Sequence, residues 1–137
     1  MPRALVYSLV PGETKHKVSK TMDNFRCCEN LASFLHYEVA DYYCGCGNPR
    51  TYTEEVIEII KNRRVDALVV PNLTTIAMHI EDGAVVFPQL MATGVKLYCV
   101  ETGPENLFAT ENFECKIQSL IRCAKGLGSK EVKRARR

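Results

Sequence analysis

The run Cys44-Gly45-Cys46-Gly47-Asn48-Pro49-Arg50-Thr51 has residue types and spacing that suit phosphate chemistry: a cysteine, five residues, an arginine and a hydroxyl side chain. A thiolate at Cys44 would attack phosphorus, while loop amides and the Arg50 guanidinium hold the oxygens. Two features count against it. Pro49 takes one amide out of the cradle, and no aspartate can be assigned as the general acid. The plainer reading is a glycine-rich turn between a strand and a helix.

Seven cysteines (Cys27, Cys28, Cys44, Cys46, Cys99, Cys115, Cys123) also make an accidental match easier. Their odd number, with no secretory signal at the start, predicts reduced thiols, and Cys99 and Cys123 read as small core residues. Zinc needs two well-spaced ligand pairs. The neighbours Cys27 and Cys28, the pair Cys44-x-Cys46 and the lone His16, His36 and His79 do not supply them, so neither a metal nor another cofactor is expected.

Charge gathers at one end. Of the formal net charge of +2, the segment from Lys125 to Arg137 carries +5: six basic residues against Glu131, which leaves −3 on the rest. Lys130, Lys133, Arg134, Arg136 and Arg137 form an arm suited to DNA phosphates, or equally a solvated, solubilising tail. Residues 126–137 hold few apolar residues and are expected to stay disordered or fold on a partner, leaving residues 1–125 as one domain. The longest apolar runs, Ala67 to Pro71 and Ala84 to Pro88, are far below the roughly 20 residues that span a bilayer. The expectation is a cytoplasmic protein.

Apolar runs and helical periodicities alternate along the domain. Strands are predicted over Arg3 to Val10, His36 to Tyr43, Ala67 to Val70 and Val95 to Val100. Helical spacing links Met22, Phe25, Cys28 or Glu29, Ala32 and Leu35. It also links Val56, Ile59 and Ile60 behind a capping box, Thr51-x-x-Glu54. A third pattern, Ile76, Ile80, Ala84, Phe87 and Met91, is interrupted by Gly83 and Pro88, which favours a helix starting near Glu81 or one kinked before Pro88. A last stripe, Phe113, Ile117, Leu120, Ile121 and Ala124, ends before Gly126. The order β-α-β-α-β-α-β-α implies an α/β fold: three layers, doubly wound, a mostly parallel sheet with helices on both faces.

In such sheets the site lies beyond the carboxyl ends of the strands. Three loops are then candidates: Pro11 to Lys20, Cys44 to Tyr52 and Pro71 to Ile80. None holds GxGxxG or GxxxxGK[ST], and no acidic residue ends the first or third strand.

RALVYSLV, NPRTYTEEVIEIIKNRRVDALVV and NLTTIAMHIEDGAVVFPQLMATGVKLYCVETG together resemble the catalytic domain of serine recombinases of the resolvase/invertase type, over roughly Arg3 to Thr102. The junction RRVDALVV, Leu73 after it, and Gly94-Val95 opening the next strand carry the resemblance most specifically. In that family a Tyr-Ala-Arg-Val-Ser run ends the first strand; the serine forms a covalent phosphoserine with DNA, and the arginine holds the scissile phosphate. Here the run is Tyr7-Ser8-Leu9-Val10-Pro11, with Pro11 at the nucleophile and Leu9 at the arginine. The family's Leu-Asp-Arg-Leu-Ser/Gly-Arg is Leu73-Thr74-Thr75-Ile76-Ala77-Met78 here, so Thr75 and Met78 stand where arginines are expected. Thr74 and Thr75 then read as loop residues that cap the next helix.

The resemblance therefore implies a resolvase-like domain without its catalytic serine and arginines. Such a domain would be a non-catalytic module of DNA recombination, associating with DNA through the basic arm and with itself through the Phe113 to Ala124 helix. Ordinary packing of that helix on the sheet is the plainer alternative. No helix-turn-helix follows, so sequence-specific recognition is not supported. The rival class is an enzyme: a cysteine-dependent phosphatase using Cys44 and Arg50, or a recombinase with Ser8 as a displaced nucleophile.

Overall fold

The computed structural model describes residues 2–9, 15–45, 49–77, 80–109 and 113. Within them β1 (Arg3–Leu9), α1 (Lys15–Phe34), β2 (Glu38–Gly45), α2 (Pro49–Arg63), β3 (Ala67–Val70), α3 (Ile80–Ala92) and β4 (Lys96–Cys99) follow in order, with single 3-10 turns at Leu73–Thr75 and Leu107–Ala109.

All pairings are parallel, in the order β2-β1-β3-β4. The chain leaves β1 for one side of the sheet, then crosses back over it to β3 and continues to β4. Right-handed crossovers in opposite directions must place α1 on one face and α2 with α3 on the other. The packing agrees. Ala4, Val6, Ala67, Val69 and Tyr98 meet Cys28 and Ala32 of α1. On the opposite face Leu5, Tyr7, Leu68, Val70, Leu97 and Cys99 meet Val56, Ile57 and Ile60 of α2 and Val86, Phe87 and Leu90 of α3. Alternation along each strand divides these two sets, as a sheet covered on both faces requires.

Several predicted boundaries move, each for a local reason. The second strand starts at Glu38 rather than His36, because His36 terminates α1 at φ 63. The His36 amide donates to the Ser33 carbonyl and the Tyr37 amide to that of Ala32, the paired bonds that close a helix through a left-handed residue. Glycine usually marks that place. α2 begins at Pro49, a favoured first helical position, so Thr51 lies inside the helix and the predicted capping box is not its start. Ile57, not Ile59, is the more deeply buried partner of Val56 and Ile60, and Met22 is exposed.

α3 starts at Ile80, close to the expected Glu81, and carries Pro88 inside it. The carbonyl of Ala84, which loses its partner there, belongs to the exposed side of the helix, where water can reach it. α3 ends before Gly94, whose φ of 80 turns the chain into β4. The first predicted loop is also shorter than expected, since α1 already runs from Lys15.

Candidate functional site

The order of strands reverses between β1 and β3, so the crevice that a doubly wound sheet offers a ligand lies at their carboxyl ends. Tyr7 and Ser8 stand there on β1 and point to opposite faces. Tyr7 is fully buried, its hydroxyl 3.3 Å from Thr53 Oγ1 on α2. Thr53 Oγ1 in turn donates to the Ile76 carbonyl at 2.9 Å. A threonine hydroxyl has one proton, so Tyr7 is the donor in the first bond. Burial pushes the Tyr7 phenol up to about 12, outweighing the bond to Thr53, and it stays protonated.

Ser8 faces α1. It is 0% exposed, and its Oγ accepts from Asn24 Nδ2 at 3.1 Å. Leu9 is the last residue of β1. Pro11 lies outside the described residues.

After β3, Asn72 opens the turn Leu73–Thr75 with its Oδ1 accepting from both the amide and the hydroxyl of Thr75, each at 3.1 Å. Asn72 thus caps this 3-10 turn, and Thr74 and Thr75 lie inside it, ahead of α3, which begins at Ile80. Thr74 is the middle residue of the turn, and the Thr75 side chain is 3% exposed. Met78 lies outside the described residues. Cys99 Sγ donates to the Pro71 carbonyl at 3.6 Å, and burial raises the pKa of that thiol. Arg3 opens β1 and Arg63 and Arg64 close α2, which puts these three arginines at the amino ends of the strands, away from this crevice.

Cys44 is exposed and lies beside Ser8 in the β1–β2 register. Its thiol donates to the Gly45 carbonyl at 3.8 Å. Gly45 is still part of β2, paired with Leu9, so a phosphate cradle beginning at Cys44 would start inside a strand. Arg50 is the second residue of α2, while residues 46–48 are outside the described residues. The nearby Tyr43 hydroxyl donates to the Glu55 carboxylate.

Phe113 is buried against Phe87, ring centroids 5.7 Å apart, and Phe108, at 4.9 Å. The rest of the stripe to Ala124, and the basic residues Lys130, Lys133, Arg134, Arg136 and Arg137, lie outside the described residues. Among the described residues no group of three or more His, Cys, Asp or Glu could hold a metal, and no helix is long and apolar enough to cross a membrane. None of Cys27, Cys28, Cys44 and Cys99 is in a disulfide.

A cleft of about 660 Å³ opens at the other end of the sheet, lined by Lys61, Arg64 and Lys96 together with Asp66, Tyr37 and Thr93. α2 and α3 both end there, and the carbonyl-rich end of α2 suits the cation of Lys61 in its last turn.

Sequence reasoning did not single out Thr53 or Asn24. Thr53 had a signal: it shares the apolar stripe of α2 with Val56, Ile57 and Ile60, where a hydroxyl needs a partner. Asn24 had none, since its bond to Ser8 exists only once α1 lies on the sheet.

No protein-family model matches the chain, and no curated protein sequence matches it. Solved structures do share its fold. A resolvase family site-specific recombinase from Streptococcus pneumoniae superposes with a TM-score of 0.72 at 17% identity, covering 100% of both chains. The C-terminal catalytic domain of ISC1926 TnpA, an IS607-like serine recombinase, gives 0.60 at 15% identity over 72% of this chain and 67% of its own. The N-terminal catalytic domain of TP901-1 integrase gives 0.61 at 12% identity over 96% and 97%. The fold is thus that of serine recombinase catalytic domains.

Proposed function

We propose that this chain is a recombinase-fold domain that associates with DNA and with itself and carries out no phosphodiester chemistry. The observation that supports this most is Thr75. Metal-free phosphoryl transfer depends on guanidinium groups around the phosphate, and at a position where the fold's enzymes would need one, a threonine is held inward by Asn72 and is 3% exposed. Leu9 and Met78 supply no cation at the other two arginine positions, and Pro11 has no hydroxyl with which to attack.

The two enzyme readings fare less well. Ser8 is closed off by burial and by Asn24. Gly45, directly after Cys44, still belongs to β2. Association with DNA rests on the solved structures being recombinases and an integrase, together with the cationic residues Lys130, Lys133, Arg134, Arg136 and Arg137. Self-association rests on the Phe113 to Ala124 stripe, and the setting is cytoplasmic.

Fluorescence anisotropy of a labelled duplex, titrated with the full chain at rising salt, tests the DNA part. With up to six cations engaged, log affinity should fall with log salt at a slope of at most about −5, and removal of residues 125–137 should abolish binding. Binding that survives the deletion and ignores salt would overturn it.

A further inference from the structure

α2 and α3 both close into the cleft at the amino ends of the strands, but through different residues. After α3 the left-handed position is Gly94, at φ 80; after α2 it is Arg64, at φ 52. Glycine adopts that backbone freely, whereas a Cβ strains it. Strain kept where glycine would relieve it points to the side chain.

Arg64 lines the cleft with Lys61, Lys96, Asp66 and Tyr37. Lys61 is matched by the carbonyl end of α2 and by Glu58 at 3.8 Å, and Asp66 has its Oδ2 engaged by the Arg3 amide at 2.7 Å. Arg64 and Lys96 therefore bring charge that an incoming anion can use. Alternation along β4 puts Lys96 on the same face as Tyr98, which feels the Lys96 charge and whose hydroxyl is 3.4 Å from that of Tyr37. A cation and an aromatic ring thus stand close together.

Shape narrows the ligand. About 660 Å³ falls within the roughly 300 to 1,000 Å³ of small-molecule sites, and a concave wall meets the convex backbone of duplex DNA only at its rim. The carbonyl ends of α2 and α3 oppose an anion, so a phosphate there needs more than one cation around it. The Asp66 carboxylate in the same cleft favours a ligand that also carries hydroxyl or amino donors.

We propose that this cleft binds a phosphate-bearing ligand of nucleotide size, with Arg64 and Lys96 on the phosphate, the Tyr37 ring against the ligand's ring and Asp66 accepting from its hydroxyl or amino groups. The site lies at the opposite end of the sheet from the Tyr7 and Ser8 crevice, and it does not depend on the basic arm.

Calorimetric titration of the full chain with the 5′-monophosphates of adenosine, guanosine, cytidine and uridine, and with the four unphosphorylated nucleosides, tests it. At least one monophosphate should bind, its nucleoside at least about tenfold more weakly, and Arg64→Gly and Lys96→Ala should each weaken it by a similar factor. Removal of residues 125–137 should leave that affinity unchanged. Arg64→Gly should also raise the urea midpoint, which separates lost binding from lost folding. No binding of any monophosphate at millimolar concentration, equal binding of the nucleosides, or affinity unchanged in both cleft variants would overturn the inference. So would affinity that disappears only with residues 125–137. A short DNA duplex or a glutamate-rich peptide that binds more weakly to both cleft variants, while no monophosphate binds, would overturn the nucleotide assignment in favour of that partner.

Discussion

Tyr7 on β1 and Thr53 on α2 are joined by a buried hydrogen bond of 3.3 Å, which the Thr53 hydroxyl extends to the Ile76 carbonyl at 2.9 Å. Two bonds thereby tie the central strand, a helix on one face and the turn after β3 into one unit. Thr53→Val removes both and leaves two buried polar groups unpaired, so it should cost about 2 to 4 kcal/mol, more than Tyr7→Phe, which leaves Thr53 Oγ1 still bonded to the Ile76 carbonyl and should cost about 1. Urea melts of the two variants check the ranking.

The same tyrosine predicts an alkaline limit. Tyr7 and Tyr98, from an ordinary 10.0, and Cys28, from 9.0, are each pushed up to about 12, with burial the largest cause for all three. The folded chain then keeps protons that the unfolded chain releases above pH 9 to 10, so their contribution to stability is complete below about pH 9 and is lost as pH rises towards 12. For Tyr7 alone that amounts to about 2 to 3 kcal/mol. Denaturant midpoints at stepped alkaline pH should fall less steeply in Tyr7→Phe than in the wild type.

Thiol chemistry should divide by depth. Cys27 and Cys44 are exposed, while Cys28 and Cys99 are buried with raised pKa values. A maleimide followed by peptide mass spectrometry should label the first pair in the native protein and the second only in denaturant. Native labelling of Cys99 would mean that the Pro71 turn opens readily.

His36 holds the end of α1 with a left-handed backbone that favours glycine. His36→Gly should therefore raise stability by about 0.5 to 1 kcal/mol, seen as a higher urea midpoint at unchanged slope. A lower midpoint would show that the His36 side chain contributes more than its backbone costs.

Three strands, the alternation of elements and the two-sided cover were legible from the sequence because short apolar runs and helical spacing carry that information directly. Strand β2 was misplaced by two residues at its start, since a histidine closes α1 where glycine is the usual sign. The start of α2 was hidden by Thr51 and Glu54, which imitate a capping box, while Pro49 set the real first turn. At the crevice, the residue types at Leu9 and Thr75 were visible in the chain; that Thr75 turns inward was not. That orientation depends on Asn72, and the closure of Ser8 depends on Asn24, sixteen residues away. The Asn24 contact arises from packing and leaves no local pattern, whereas Asn72-x-x-Thr75 is a local turn pattern.

The inward turn of Thr75 also limits repair. Thr75→Arg would bury a guanidinium among apolar neighbours and remove the hydroxyl's bond to Asn72, at a cost on the order of 3 kcal/mol. Its melt should show a loss of stability without any gain of DNA cleavage.

A fold that persists without the reaction forms no covalent adduct with DNA. The chain would be incubated with supercoiled plasmid DNA, quenched in denaturant, digested, and searched by mass spectrometry for nucleotide linked to serine. The expected result is no adduct on any serine and no nicked plasmid, in the wild type and in Ser8→Ala alike. An adduct on a serine in the wild type, lost together with nicking when that serine is replaced, would contradict it.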